Sequence, residues 1–275
     1  MEFSRSSVTK AVIPAAGMGT RMRPLTSIIP KEMLPLGGRP AAEYIIEELH
    51  SAGINDIIFV VSHEKPEIRS YFGSGGGGIS ISYVVQEAQR GLADAVLCAE
   101  KAVCGQNFVV ALGDTVIVSR EPVSPTGRLI ESFLGRRAFA SVIVERVPIE
   151  DSVRYGMVHP CGASSGGSFA IDGLVEKPQP AESPSSLAIG GRYVFGPGIF
   201  NYIRRTEPGA LKEIQITDAI GAGIGCGESV WCTEFAPGEG RYDIGSISSY
   251  CRAFAAVCAQ DSELSRAVSA GLQCR

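Results

Sequence analysis

Short apolar runs alternate with helical patterns through the first half of the chain. Ala11-Val12-Ile13 and Ile57-Ile58-Phe59-Val60-Val61 are apolar without interruption, as strands buried on both faces of a sheet should be. Ile79–Val85 and residues 108–112 supply two more candidate strands. Residues 40–52 carry Ala42, Ile45, Ile46 and Leu49 on one helical face, and Gly53 follows as a stop. Gly91-Leu92 opens another helix, with Leu92, Val96, Ala99 and Val103 on its apolar side. Such alternation predicts an α/β fold built on a mostly parallel, doubly wound sheet with right-handed crossovers.

The second half is richer in strands, expected at 138–144, 155–159, Ser168–Glu176 and 188–195. Helices follow near 197–206 and 215–222, and Ser246 is placed to cap a last helix carrying Ile247, Tyr250, Phe254 and Val257. Glycine-rich segments at 73–78 and 162–167 interrupt the pattern. No repeat or long linker separates independent units. The expectation is one domain over 10–260, with a first half at 10–135 and a β-rich lobe at 136–245. Residues 1–9 and 261–275 read as tails.

Composition narrows the classes. The 275 residues are 45% apolar and 20% charged, with a net charge of −4, ordinary for a globular protein and without the basic footprint of a nucleic-acid or membrane binder. No apolar run approaches the roughly 20 residues of a membrane helix. The polar opening MEFSRSSVTK lacks the core of a signal peptide. Eight cysteines form no CxxC pair, and His50, His63 and His159 do not cluster with them, which argues against zinc or a disulfide framework. Cys98 and Cys258 fit apolar helical patterns. Reduced thiols without a leader point to the cytoplasm.

The chemistry concentrates at a few strand ends. After the first strand runs IPAAGMGTRMRPLTSIIPKEMLP, where Gly17 and Gly19 permit a tight turn and Arg21, Arg23 and Lys31 cluster cations against Glu32 alone. Backbone amides and cations after a strand suit a phosphate. Met22 replaces the third glycine of a dinucleotide fingerprint, and no Walker GK[ST] occurs. Asp114 follows an apolar strand, where ligands of open α/β sheets bind and where Mg²⁺ finds one or two carboxylates plus phosphate oxygens. Asp243 offers a second carboxylate, although its YDxGS setting also fits a helix cap. Glu176-Lys177-Pro178 pairs a carboxylate for sugar hydroxyls with a cation for phosphate, or forms a plain surface ion pair. Gln86 offers a donor and an acceptor to a pyrimidine edge. The GxSxG match at 162–166 lacks a strong strand before it and reads as a hairpin, and Gly221-Ala222-Gly223-Ile224-Gly225 reads as a helix end.

These motifs, in this order, resemble the sugar-1-phosphate nucleotidyltransferase family: GxGTRxxPxT, PKxxxP, Tyr83-Val84-Val85-Gln86 with Gly91-Leu92-Ala93-Asp94-Ala95, Leu112-Gly113-Asp114, Val175-Glu176-Lys177-Pro178 and Tyr242-Asp243-Ile244-Gly245-Ser246. Residues 187–195 and the run Glu213-Ile214-Gln215-Ile216-Thr217-Asp218-Ala219-Ile220 are similar to the bacterial UTP–glucose-1-phosphate branch. The resemblance covers about residues 10 to 259. It implies a Rossmann-like nucleotidyltransferase fold, a nucleotide-binding first half and a sugar-phosphate-binding lobe. It further implies a Mg²⁺-dependent union of UTP with glucose 1-phosphate.

In that reading Ala15, Ala16, Gly17, Gly19, Thr20, Arg21, Gln86 and Gly91 bind the nucleotide. Glu32, Gly156, Glu176 and Lys177 bind the sugar phosphate, and Asp114 and Asp243 hold the metal. Arg21, Lys31, Asp114 and Lys177 are the expected catalytic set. The alternatives are a thymidylyltransferase and a non-catalytic sugar-nucleotide sensor. The expected partners are the two small substrates, with no nucleic acid and no membrane, and self-association into a homo-oligomer is left open. Four departures bear on base preference and oligomeric contacts. They are the short glycine run at 73–80, Asp94 where histidine is common, Gly113 in place of proline, and Ile247 where lysine commonly follows the GS step.

Overall fold

The computed structural model describes residues 7–209 and 212–273. Its strands longer than two residues are β1 (Val8–Pro14), β2 (Asp56–Val61), β3 (Ile79–Val85), β4 (Asn107–Ala111), β5 (Thr115–Val118), β6 (Ala140–Arg146), β7 (Gly156–Ser165), β8 (Ser168–Glu176), β9 (Leu187–Phe195), β10 (Val230–Glu234) and β11 (Gly240–Asp243). Nine of them form the main sheet in the order β7-β8-β10-β6-β9-β4-β1-β2-β3, and β5 pairs with β11 as a separate ribbon. A two-residue strand, Gly75–Gly76, extends the β3 edge.

The first half is parallel, as its alternating pattern predicts: β1 lies between β2 and β4, and β3 pairs parallel with β2. The second half is mixed. β9 runs antiparallel to both β4 and β6, β7 and β8 form an antiparallel hairpin, and only β10 joins β6 in parallel. That hairpin absorbs the GxSxG match, whose glycines lead into the turn at Gly166-Gly167. One continuous sheet therefore carries both halves.

Period-two alternation divides the core between the two faces. Ala11, Ile13, Ile57 and Phe59 pack on one side with helices α1 (Ala41–Ser51), α5 (Pro125–Arg136) and α8 (Ile247–Cys258). Val12, Ile58 and Val60 pack on the other with α3 (Leu92–Cys98), α6 (Ile199–Ile203) and α7 (Ile216–Gly225). The helix expected to open at Gly91-Leu92 and carry Val96, Ala99 and Val103 breaks after Cys98 into α3 and a short α4 (Glu100–Val103). The glycines at 221, 223 and 225 form the last turns of α7, which ends at Gly225 as expected, and a Cβ on Gly223 would stand 2.8 Å from the Phe139 ring. Ser246 caps α8 as expected, with Ser249 completing a capping box.

Several elements differ from the sequence expectation. Val8 and Thr9 belong to β1, so strand structure begins inside the segment read as a tail. Residues 262–273 of the expected C-terminal tail form a helix, α9, which leans on α8. Residues 1–6 and Cys274 lie outside the described residues. Helices α2 (Pro66–Phe72) and α5 and strand β10 have no counterpart in the pattern reading. The opening of α5, Ser124-Pro125-Thr126-Gly127, is turn-like in composition, but Ser124 caps it and Leu129, Ile130 and Phe133 bury its inner face.

A buried ion pair ties the first helix to the centre of the sheet. Arg192 in β9 is fully buried and donates to Glu48 Oε2 of α1 at 3.0 Å and to the Thr115 carbonyl at 3.0 Å. Removing one partner strands the other's charge in the core. Arg192→Met is expected to lower unfolding free energy by about 3–5 kcal/mol in urea titrations. A loss below about 1 kcal/mol would mean that water reaches Glu48.

Candidate active site

The loop after β1 is held from both sides. Ala15 N–H donates to the Val60 carbonyl at 2.7 Å, and its own carbonyl accepts from Lys65 Nζ at 2.7 Å. Gly19 adopts φ +61°, where a Cβ would meet Thr26 Cγ2 at 3.0 Å. The Thr26 hydroxyl closes the loop by donating to the Gly19 carbonyl at 2.8 Å. Thr20–Met22 then makes one 3₁₀ turn bearing Arg21. Among the described residues, the amides of Gly17, Met18 and Gly19 donate to no protein acceptor. Such a row of free donors suits phosphate oxygens.

Two carboxylates reach the same region from neighbouring strand positions. Asp114 follows β4, and the β5–β11 ribbon sets Asp243 opposite Thr115. Ile244 N–H donates to the Asp114 carbonyl at 2.9 Å. Lys31 Nζ donates to Asp114 Oδ2 at 2.6 Å. Burial disfavours the charge on Asp114, yet the adjacent Lys31 ammonium outweighs it and holds the Asp114 pKa below its ordinary value. The Lys31 pKa is raised in turn, its own burial being overcome by Asp114 and Glu32. Asp243 shifts the other way, pushed up by burial and then by the Asp114 charge.

Gly245 is the notch where Arg21 and Asp243 meet. Its N–H donates to Asp243 Oδ1 at 2.7 Å, and a Cβ there would stand 2.8 Å from that oxygen and 3.3 Å from Arg21 Nη2. Glu32 is completely buried beside Gly113, with Oε2 accepting from Lys65 at 2.9 Å and Oε1 without a hydrogen-bond partner among the described residues.

The far end is built by the β7–β8 hairpin. Gly156 faces Glu176 across it, and a Cβ at Gly156 would fall 2.9 Å from Thr217 Cγ2 and 3.2 Å from Glu176 Oε2. The Thr217 hydroxyl donates to Glu176 Oε2 at 3.0 Å, and Lys177 Nζ lies 3.2 Å from Oε1. Lys177 has φ +47°, a left-handed conformation costing an L-residue about 1–2 kcal/mol. Its N–H donates to the Tyr155 carbonyl at 3.0 Å. Strain of this kind is often stored where a side chain must be aimed.

All these groups converge on one cleft of roughly 560 Å³ at the carboxyl ends of the parallel strands. Ala16, Gly17, Gly19, Thr20, Arg21, Lys31, Glu32, Gln86, Gly91, Asp114, Gly156, Glu176 and Lys177 line it. Ala15 is buried under the loop, and Asp243 reaches the cleft through Gly245 and Arg21. One expectation needs correction. Gln86 does not offer both a donor and an acceptor, because its amide nitrogen donates to Asp94 Oδ2 at 2.7 Å and to the Gly91 carbonyl at 3.4 Å.

The chain as a whole has counterparts among known proteins. The family model described as Nucleotidyl transferase matches residues 10–260. The chain belongs to this family. It is similar to UTP–glucose-1-phosphate uridylyltransferase 2 of Streptococcus pyogenes serotype M1, with 38% identity covering 87% of each chain. A UTP-bound UGPase from Acinetobacter baumannii superposes with a TM-score of 0.89 at 30% identity, covering 98% of this chain and 100% of that one. A UDP-glucose pyrophosphorylase complexed with UDP-glucose gives 0.84 at 32% identity, covering 91% and 98%. The transferase fold is thus matched from end to end.

Several cleft residues escape the motif reading. Arg241 stacks 4.3 Å from the Tyr155 ring centroid and pairs with Glu145, while Arg154 flanks the same ring at 5.2 Å. Both arginines line the cleft beside Lys177. Arg241 stands two residues before Asp243, so the YD motif hinted at it. Lys65 sits in an unremarkable helix start, and only the tertiary structure brings it under the loop.

The two aspartates carry opposite stability signatures. Asp114, with its pKa depressed, contributes stability present above its unfolded pKa and lost as pH falls through the folded one. Asp243, with its pKa raised, binds its proton more tightly when folded, so its ionisation costs stability as pH rises. In metal-free protein near pH 7, Asp114→Asn should therefore lower Tm and Asp243→Asn should raise it. Shifts of the same sign in thermal melts would contradict this electrostatic account.

Proposed function

We propose that this nucleotidyl transferase joins glucose 1-phosphate to UTP, releasing pyrophosphate and UDP-glucose. The observation that carries the reading is that one cleft gathers the glycine loop, Arg21, Lys31 in contact with Asp114, and Glu176 with Lys177. Asp243 stands at its edge, beside Gly245. The printed activities of the uridylyltransferase relatives supply the substrates.

Asp114 and Asp243 are the residues that would hold Mg²⁺. Their donor set fits it: both are carboxylates, and Mg²⁺ typically takes one or two carboxylates and completes its shell with phosphate oxygens and water. Bound there, the ion supplies neutralisation of charge on the transferring phosphate.

The chain's own groups account for the rest. Lys177 anchors the attacking phosphate, and Glu176, fixed by Thr217, accepts hydrogen bonds from sugar hydroxyls. A phosphate monoester with a second pKa of about 6 is largely dianionic at neutral pH, so no side chain needs to remove a proton. Its oxygen attacks the α-phosphorus in line, a new P–O bond forms, and the α–β bridging P–O bond breaks. Arg21 and Lys31 balance the charge on the departing pyrophosphate. Catalysis is positioning and charge stabilisation. Free cysteines among the described residues and the intracellular substrates of the proposed reaction support a cytoplasmic setting.

Pyrophosphate release from UTP, glucose 1-phosphate and Mg²⁺ tests the reading. UTP and dTTP are expected to react and ATP and GTP to be poor, and a preference for ATP would overturn it. Lys177→Ala should raise KM for glucose 1-phosphate by about ten- to a hundred-fold, the value of a charge-assisted hydrogen bond, while UTP binding stays within a few-fold. Equal weakening of both substrates would make Lys177 a structural residue.

A further inference from the structure

Arg90, Asp94 and Gln86 form a chain of side chains at the nucleotide end of the cleft. Asp94 and Gln86 are 2% and 5% exposed. Asp94 Oδ1 accepts from Arg90 Nε at 3.1 Å and Nη2 at 2.8 Å, and Oδ2 accepts from Gln86 Nε2 at 2.7 Å. The remaining Gln86 amide hydrogen has the Gly91 carbonyl at 3.4 Å. That backbone is itself clamped. Ile214 N–H donates to the Arg90 carbonyl at 2.7 Å, Ala93 N–H donates to the Ile214 carbonyl at 3.0 Å, and a Cβ on Gly91 would collide with Ile214 O at 2.6 Å.

A glutamine amide can ordinarily turn over and present either its NH₂ or its oxygen. Here a carboxylate and a carbonyl, both acceptors only, face the same end of the group. Turning it over would set its oxygen against them. The NH₂ is therefore consumed inside the protein, and Oε1 is the polar atom left for a ligand in the cleft that Gln86 lines.

We propose that Asp94 is a specificity-determining positioning residue that locks Gln86 as an acceptor, so that the cleft takes a pyrimidine base donating at N3 and refuses one accepting there. Uracil and thymine carry N3–H and pair with Oε1. Cytosine presents a bare N3, and two acceptors then face each other at the cleft wall. Sites that hydrogen-bond a substrate group reject analogues lacking it because buried polar groups are left unpaired. The proposal rests on the nucleotide assignment made above and adds the cause of its base choice. Asp94 touches no substrate; it acts through Gln86, and Arg90 holds its carboxylate in place.

Asp94→Asn keeps the shape and removes the constraint, because an asparagine amide presents either polarity to Gln86. The experiment measures kcat/KM for UTP and for CTP with glucose 1-phosphate, in wild type, Asp94→Asn and Gln86→Ala. Asp94→Asn is expected to raise the CTP/UTP ratio about ten-fold or more. Asp94→Ala, which deletes the acceptor, should move it in the same direction, and thermal melts establish that each variant is folded. A loss of both activities by one common factor, with the ratio unchanged, overturns the proposal. If Gln86→Ala changes the ratio and both folded Asp94 variants leave it alone, only the lock is refuted. If Gln86→Ala leaves the ratio unchanged, Gln86 does not read the base and the proposal falls with that role. A wild-type enzyme that ignores UTP refutes the proposed function itself.

Discussion

The ion pair between Lys31 and Asp114, 2.6 Å long, is the contact on which the site depends. It joins the loop leaving β1 to the end of the neighbouring strand β4, the place where an open α/β sheet exposes its carboxyl strand ends. Each partner stabilises the other's charge against burial. Both side chains are half-buried, so each charge is partly desolvated and gains from the other. The pair thus holds a cation and a carboxylate in the cleft as one compensated unit.

That compensation explains the rest of the construction. Asp243 is brought in by the β5–β11 ribbon and carries the electrostatic penalty that Lys31 removes from Asp114. Arg192 holds the Thr115 carbonyl from behind, so the backbone that presents Asp114 is anchored to α1 through Glu48. Lys65 does the same for the Ala15 carbonyl. The scaffold places rigid backbone where charges must not move apart, and among the described residues it leaves the loop amides of Gly17, Met18 and Gly19 without protein acceptors.

Much of this was legible in the sequence because the site residues belong to strand ends, and strand ends are marked by an apolar run followed by glycine or an acid. The segments around Pro14, Asp114 and Glu176 all show it. What stayed hidden has no local signature. β11, Gly240–Asp243, has no apolar run and exists because β5 pairs with it. Helix α5 begins with proline and a near glycine, so its propensity reads as a turn, and burial of Leu129, Ile130 and Phe133 overrides that. Lys65 and Arg192 act across long sequence separations. Gln86 lines the cleft as expected, but its amide nitrogen donates to Asp94, a partner that spacing alone cannot assign.

The central claim is that cation and carboxylate neutralise one another until substrate separates them. Calorimetric titration of Mg²⁺ and of UTP into nucleotide-free wild-type and Lys31→Met proteins tests this most directly. Removing Lys31 frees Asp114, so Mg²⁺ should bind the nucleotide-free variant more tightly than wild type while UTP binds it more weakly. If Mg²⁺ affinity is unchanged or falls together with UTP affinity, the two charges are not a compensated pair held ready for substrate.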